Sequence, residues 1–339
     1  MTQVGPTIFS AVEFTERMWD RVRSVAPNAR IHQVPSDKAE VVAENVGEAE
    51  IACIHAVQDF DPALAPNLRW ILTASAGVDR LIGGKLWQSD VQVVNASGIH
   101  AHSIAELVFG MVIALRHRLP HLRECQRQHV WAQQDDKARK AGGLVGLTLG
   151  IIGYGSIGRE VGRLGKAYRM RLLATKRDPS RRRDSGFSLP TAGDPDGVLP
   201  DILAGPEFQR QLMAESDVVV VAAPSSPATR HLVGEDDLRA MKRDAILVNI
   251  ARGALVDEEA LIRALREGWI GGAGLDVFET EPLPGNSPLY DMDNVILTPH
   301  VAGWSPLYWD RLMILLAENV RRELAGEPLL NVVDKERGY

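Results

Sequence analysis

Cysteine is nearly absent: the 339 residues hold two, Cys53 and Cys125. Two thiols build neither a disulfide framework nor a four-thiolate metal site, so a reducing compartment fits best. Basic charge is not in excess either. Lys plus Arg number 38 against 44 Asp plus Glu, a formal −6, which removes the broad cationic footprint of a nucleic-acid or anionic-membrane binder. Long apolar runs are missing too. The longest stretch without charge, 141–158, contains seven glycines with Thr148, Tyr154 and Ser156, too polar and flexible for a spanning helix. Glu13, Glu16 and Asp20 precede any long apolar run, unlike a secretory leader, and the cytoplasm is the expected location. No internal repeat or low-complexity tract stands out.

What is present is an ordinary globular balance, 45% hydrophobic and 24% charged, over a length that suggests two domains. Short β-branched runs alternate with longer amphipathic segments, the pattern of parallel sheets wrapped by helices. The first hundred residues carry strand candidates at 7–10, 29–34, 51–55, 70–74 and 91–95. Leu107, Val108, Met111 and Leu115 recur at helical spacing over 104–117. Pro120 then interrupts, a polar helix-like segment runs to Gln134, and 137–140 with Gly142 and Gly143 reads as a linker. A second block has strand candidates at 148–153, 171–175, 217–222, 245–250, 272–277 and 294–297, with helices at 157–168 and 257–266. The stretch 181–205, rich in Pro, Gly and charge, reads as a long surface excursion. A last helix, 306–325, belongs to neither block by order alone.

The run Gly153-Tyr154-Gly155-Ser156-Ile157-Gly158 fits Gly-x-Gly-x-x-Gly between a strand and a helix. Gly153 permits the tight turn, Gly155 admits a pyrophosphate to the backbone, and Gly158 lets helix and strand pack closely. The helix N-terminus beyond offers N–H groups and partial positive charge to phosphates. The next strand ends in Lys176-Arg177-Asp178. An acidic residue at that end bonds the ribose 2′-OH of NAD, whereas cations suit a 2′-phosphate, so NADP is favoured over NAD. A solvated basic edge is the plain alternative.

Three segments carry a resemblance: Leu247-Val248-Asn249-Ile250-Ala251-Arg252-Gly253-Ala254-Leu255-Val256-Asp257, Gly274-Leu275-Asp276-Val277-Phe278-Glu279-Thr280-Glu281-Pro282, and Thr298-Pro299-His300-Val301-Ala302-Gly303. With the glycine turn before them they resemble the D-isomer-specific 2-hydroxyacid dehydrogenases, whose members include glyoxylate/hydroxypyruvate reductases and phosphoglycerate and D-lactate dehydrogenases. The resemblance implies an α/β fold of two flavodoxin/Rossmann-like doubly wound domains, the cofactor domain inserted into the substrate domain. Residues 1–102 and 304–339 would form the substrate domain and 103–303 the NAD(P)-binding domain. The final helix would then cross back to the first block. It also implies a homodimer formed through the cofactor domain and the arm near 101–140.

Reducing a 2-keto acid needs a hydride donor, a proton donor and a cation for the carboxylate. Arg252 offers a planar fork for the carboxylate, His300 a proton near working pH, and Glu281 a partner that holds the imidazole and favours its charged form. The resemblance assigns these same roles. It further implies cofactor contacts from Ser156 and Ile157 at the phosphates, from Ala223, Pro224 and Thr229 along the adenosine side, and from Ile250, Ala251 and Asp276 near the nicotinamide. Ala76 and Gly77 would bind the substrate carboxylate. The pair His100 and His102 with His117 or His121 invites zinc, but no thiolate or carboxylate stands at metal-site spacing nearby, and no metal is expected. Trp304, Tyr308 and Trp309 read as core or interface aromatics.

The leading expectation is an NADP-preferring reductase of a small 2-keto acid such as glyoxylate or hydroxypyruvate. NAD-dependent D-3-phosphoglycerate or D-lactate dehydrogenase is the alternative within the class. A dinucleotide-sensing, corepressor-like binding protein is the alternative outside it. Glu281 disfavours formate dehydrogenase, which pairs its histidine with glutamine, and Ala76 disfavours phosphite dehydrogenase, which expects lysine there.

Overall fold

A computed structural model describes residues 5–55, 60–139 and 142–338. The chain folds as two compact units. The first takes the residues up to His100, then Ser185–Leu189, then those from Ser305 on; the second takes Ala101–Asp184 and Pro190–Trp304.

The first unit begins β1 (Thr7–Ser10), α1 (Glu16–Val25), β2 (Arg30–Gln33), α2 (Ala39–Asn45), β3 (Ile51–Ile54), β4 (Trp70–Thr73), α3 (Lys85–Gln88) and β5 (Gln92–Val94). Thr15 starts α1 by accepting the Met18 N–H on its hydroxyl at 3.3 Å. All five expected strands form, parallel throughout, in the order β2-β1-β3-β4-β5. That is the flavodoxin order. β1, β3 and β4 are buried at every position, which is why they read as continuous apolar runs rather than alternating ones.

In the second unit α4 (Ala101–Arg116), α5 (Leu119–Arg127) and α6 (Asp136–Arg139) precede β6 (Thr148–Ile152), α7 (Ser156–Ala167), β7 (Arg171–Thr175) and β8 (Ile202–Ala204). There follow α8 (Gln209–Glu215), β9 (Val218–Val221), α9 (Glu235–Ala240), β10 (Ile246–Asn249), α10 (Glu258–Glu267), β11 (Gly272–Leu275) and β12 (Val295–Leu297). The sheet order β12-β11-β10-β9-β6-β7-β8 is the Rossmann order with one further strand, its direction of winding reversing between β6 and β9. α4 buries Ile104, Val108, Met111 and Leu115 and packs against α7. Back in the first unit, α11 (Tyr308–Leu324) packs on α1, and Glu323 accepts from Arg69 beside β4 at 2.7 Å.

Four expectations need correction. The second sheet has seven strands, not six: β8 is three residues long, too short to show a period. The 181–205 excursion is not simply surface. Phe187, Leu189, Ala192 and Asp194 are buried, and five of its residues belong to the first unit. Pro120 does not break a helix but sits in the first turn of α5, where its missing N–H has no intrahelical partner to lose. The break falls at Arg118, whose φ is +55°, and α5 ends at Arg127, well before Gln134. Finally, Asp136–Arg139 is helical rather than linker, while Lys140 lies outside the described residues.

Candidate active site

β6, β9 and β10 run in register, Ile152 opposite Val221 and Val221 opposite Asn249, and the register continues through β11 to Leu275 and Leu297. Their C-terminal ends therefore line one edge of the sheet. Ligands of doubly wound sheets bind at that edge, beside the winding reversal.

The glycine turn leaves β6 there. Gly153 has φ +100°, and a Cβ on it would lie 2.6 Å from the Ala223 nitrogen. A Cβ on Gly158 would lie 2.4 Å from the Gly153 carbonyl oxygen, so α7 could not close on the turn. Around Gly155 nothing lies within 4 Å of the Cβ position. Two glycines thus serve packing and the third keeps an open approach to the backbone. No side chain caps α7, whose N-terminus starts at Ser156 and Ile157. An open glycine beside an uncapped helix start suits the pyrophosphate of a dinucleotide.

Ala223 and Pro224 follow β9 against this turn. Thr229 closes their loop: its hydroxyl donates to the Pro224 carbonyl at 2.9 Å and accepts from the Ser226 N–H at 2.8 Å. At the end of β7, Lys176 donates through Nζ to the Arg181 carbonyl at 2.7 Å, and Arg177 is exposed.

The strand β10 delivers Ile250, Ala251 and Arg252. Asn249, almost fully buried, shapes this turn: its side chain donates to the Arg252 carbonyl at 3.0 Å and accepts from the Ala251 N–H at 3.1 Å. Gly253 comes next. A Cβ there would sit 1.8 Å from the Phe278 carbonyl carbon, so only glycine lets the Arg252 turn lie against the loop that carries Glu281.

That loop leaves β11 at Asp276. Both of its carboxylate oxygens are engaged: Oδ1 accepts from the Thr298 hydroxyl at 2.5 Å and the Val301 N–H at 2.9 Å, and Oδ2 from the Ala302 N–H at 3.0 Å. Its carbonyl accepts the His300 N–H at 2.8 Å. Asp276, expected at the nicotinamide, is therefore first of all the anchor of the histidine loop. His300 has φ +56°, a left-handed conformation that a non-glycine residue holds only where its surroundings fix it. Its Nδ1 lies 2.7 Å from Glu281 Oε2, while Glu281 Oε1 accepts the Phe278 N–H at 3.1 Å. A carboxylate on Nδ1 settles the tautomer and leaves Nε2 for a ligand. His300 and Glu281 are both partly open to solvent.

A family profile, the D-isomer specific 2-hydroxyacid dehydrogenase NAD binding domain, matches residues 109–302. The chain belongs to the D-isomer specific 2-hydroxyacid dehydrogenase family. A glyoxylate reductase of Korarchaeum cryptofilum is 36% identical over 275 residues, which are 80% of this chain and 78% of that one. A D-3-phosphoglycerate dehydrogenase of Methanocaldococcus jannaschii is 32% identical over 314 residues, 86% of this chain and 56% of that one. A crystal structure of a D-isomer specific 2-hydroxyacid dehydrogenase from Xanthobacter autotrophicus, in complex with NADPH and MES, is similar with a TM-score of 0.79 at 30% identity, covering 99% and 100% of the two chains. The protein is thus an NAD(P)-dependent D-2-hydroxyacid dehydrogenase, transferring a hydride between NAD(P)H and a keto acid or its hydroxy acid.

Within this dehydrogenase the second unit gathers the fingerprint, the Arg252 turn, Glu281 and His300 along one sheet edge. Ala76 and Gly77 belong to the first unit, in the loop after β4; there the Ser75 hydroxyl donates to the Gly77 carbonyl at 2.6 Å, and the Tyr308 hydroxyl donates to the Ala74 carbonyl at 2.5 Å. The histidines considered for zinc have other neighbours: the His100 ring packs on Tyr308, His102 faces Glu160 and His121 faces Asp135. Among the described residues no cluster of His, Cys, Asp or Glu is arranged to hold a metal ion. Sequence reasoning missed Asn249 and the anchoring role of Asp276. A buried polar residue one or two positions before a functional loop was the available signal, since such a group must spend its hydrogen bonds locally.

Proposed function

We propose that this chain reduces a small 2-keto acid, glyoxylate or hydroxypyruvate, with NADPH preferred over NADH. The observation that carries the reading is the His300–Glu281 pair at 2.7 Å, held beside the Arg252 turn on the edge where the glycine fingerprint opens. The name glyoxylate reductase on relatives more than 30% identical supports the substrate class. NADPH in the Xanthobacter structure and the Lys176-Arg177 strand end support the cofactor preference.

The reduced nicotinamide supplies a hydride to the carbonyl carbon of the substrate. Arg252 grips the substrate carboxylate through its fork and draws charge toward the forming alkoxide. Protonated His300 donates from Nε2 to that oxygen, and Glu281 on Nδ1 stabilises the imidazolium before transfer. In the oxidising direction neutral His300 takes the hydroxyl proton at the same atom. Ala76 and Gly77 offer backbone N–H groups to the carboxylate. Ser156 and Ile157 bind the phosphates, Ala223, Pro224 and Thr229 flank the adenosine, and Ile250, Ala251 and Asp276 border the nicotinamide.

The assay is oxidation of NADPH and NADH, followed by absorbance, against glyoxylate, hydroxypyruvate, pyruvate and 3-phosphohydroxypyruvate. Turnover highest with the first two and NADPH supports the proposal. Turnover confined to 3-phosphohydroxypyruvate or pyruvate with NADH moves the chain to the NAD-dependent alternative. Tight dinucleotide binding without turnover on any keto acid overturns the enzymatic assignment of the site. We further place the enzyme in the cytoplasm as a homodimer formed through the cofactor domain and the arm near 101–140.

A further inference from the structure

The second unit buries a charged cluster that neither the fold nor the site chemistry above requires. Arg159, directly after the last fingerprint glycine, is 1% exposed. Its guanidinium donates to two backbone carbonyls, Arg182 at 2.6 Å and Asp194, which lie on the outgoing and returning passes of the 181–205 excursion. Asp194 is buried as well. Its carboxylate accepts the Tyr154 hydroxyl at 2.8 Å and the Val198 and Leu199 N–H groups at 3.0 and 2.9 Å. Tyr154 lies within the fingerprint and Arg159 just after it, so the glycine turn and the excursion are stapled into one piece. Burying a guanidinium is tolerated only when its charge and donors are largely met; here the excursion backbone meets both terminal nitrogens, while Nε makes no hydrogen bond and faces the Asp184 carboxylate at 3.6 Å.

Lys176 stands next to this staple. Its backbone N–H donates to the Ala204 carbonyl at 2.9 Å and its Nζ to the Arg181 carbonyl, so both ends of the excursion hold it. Burial lowers its affinity for a proton, and the positive charges of Arg159 and Arg181 lower it further, against the opposing pull of Asp184 and Asp178. Lys176, Arg177 and Arg181 thus crowd positive charge at the strand end where a dinucleotide presents its adenosine ribose, offset only in part by Asp178, 3.2 Å from Arg181, and Asp184, 3.6 Å from Arg159. A neutral 2′-hydroxyl cannot relieve that crowding, but a dianionic phosphate can.

We propose that Arg159, Asp194 and Tyr154 are positioning residues for cofactor choice: by stapling the excursion to the fingerprint they hold Lys176 and Arg181 as a preformed 2′-phosphate site, without touching the cofactor themselves. The inference rests on the NADPH preference proposed above. Its distinguishing consequence is that the ratio of NADPH to NADH affinity depends on residues outside the contact set. A merely structural role would weaken both cofactors alike.

The test is binding of NADPH and NADH, by protein fluorescence quenching, to the full chain and to Asp194→Asn and Tyr154→Phe. Tyr154→Phe keeps the buried ring and removes one hydroxyl, so it remains informative if Asp194→Asn does not fold. NADPH affinity should fall about tenfold, the scale of a lost charge-assisted contact, with NADH affinity held within about twofold. The affinity for adenosine 2′,5′-bisphosphate should fall with that of NADPH, and that for 5′-AMP should not. Equal losses for both cofactors, or an unaltered ratio in a folded variant, overturn the staple while leaving the NADPH preference standing. An unsubstituted protein that binds the two cofactors equally overturns the NADPH preference and this inference with it.

Discussion

At the scale of single residues, the proposed chemistry rests on two placements that the backbone resists. His300 sits at φ +56°, in a region costing of order 1 kcal/mol or more for a side chain other than glycine. Three hydrogen bonds to the Asp276 carboxylate and one from the His300 N–H to the Asp276 carbonyl hold it there. Because none of these bonds uses the imidazole, His300→Ala should spare cofactor binding and lower kcat about a hundredfold or more, the usual scale for a lost proton donor. Steady-state turnover with NADPH, beside fluorescence titration of NADPH, checks both halves. Undiminished turnover would remove His300 from the mechanism. Glycine 253 is the second placement. It has no role in the chemistry, yet a Cβ 1.8 Å from the Phe278 carbonyl carbon would drive the Arg252 turn away from the Glu281 loop.

At the scale of elements, what the sequence revealed and what it concealed divide along physical lines. The glycine turn was legible because its demands fall on residue identity: a positive φ and two close approaches are met by glycine alone. The buried parallel strands were legible because both faces are covered, so their residues form unbroken apolar runs. The excursion was not. Its buried polar contacts run from the Arg159 guanidinium to backbone carbonyls and from the Tyr154 hydroxyl and two backbone N–H groups to the Asp194 carboxylate, and no pattern of hydrophobicity marks a carbonyl that meets a guanidinium. The anchoring by Asn249 and Asp276 escaped for the same reason. α7 illustrates how such charge stabilises an element. Burial would raise the Glu160 pKa, but the Arg163 fork at 2.6 and 2.8 Å and the Gly193 N–H at 2.6 Å outweigh it, and the carboxyl is held below its ordinary value. A depressed carboxylate contributes stability that is complete above its unfolded pKa, near 4.3, and disappears as pH falls through the lower folded value. Glu160→Gln should accordingly lower the melting temperature by several degrees at pH 7, taking about 2–4 °C per kcal/mol for a domain of this size. The gap between variant and parent should narrow steadily below about pH 4. Melting curves from pH 3 to 7 decide it, and a gap independent of pH would detach Glu160 from the stability of this helix.

At the scale of the whole molecule, the arm stands out as an element without a core of its own. α5 buries none of its residues, and Leu119, Val130 and Trp131 are exposed at 47, 53 and 88%. A tryptophan so open, with two aliphatic neighbours on the same short segment, is apolar surface of the kind that marks an interface. The net charge of −6 opposes indiscriminate association, which favours a defined partner over general stickiness. A second copy of the chain is the occupant the dimer proposal names, and light scattering after size exclusion measures it directly. The expected mass is twice the 37.2 kDa of the chain at micromolar concentration. Trp131→Asp should shift the population toward the single chain, weakening self-association by about tenfold or more, as expected where a central aromatic is replaced by charge. Because Trp131 contributes almost nothing to the packing of its own chain, the variant should melt as a folded protein. A parent protein of single-chain mass at those concentrations would exclude the arm as a homodimer contact, and a dimer indifferent to Trp131→Asp would move the interface elsewhere.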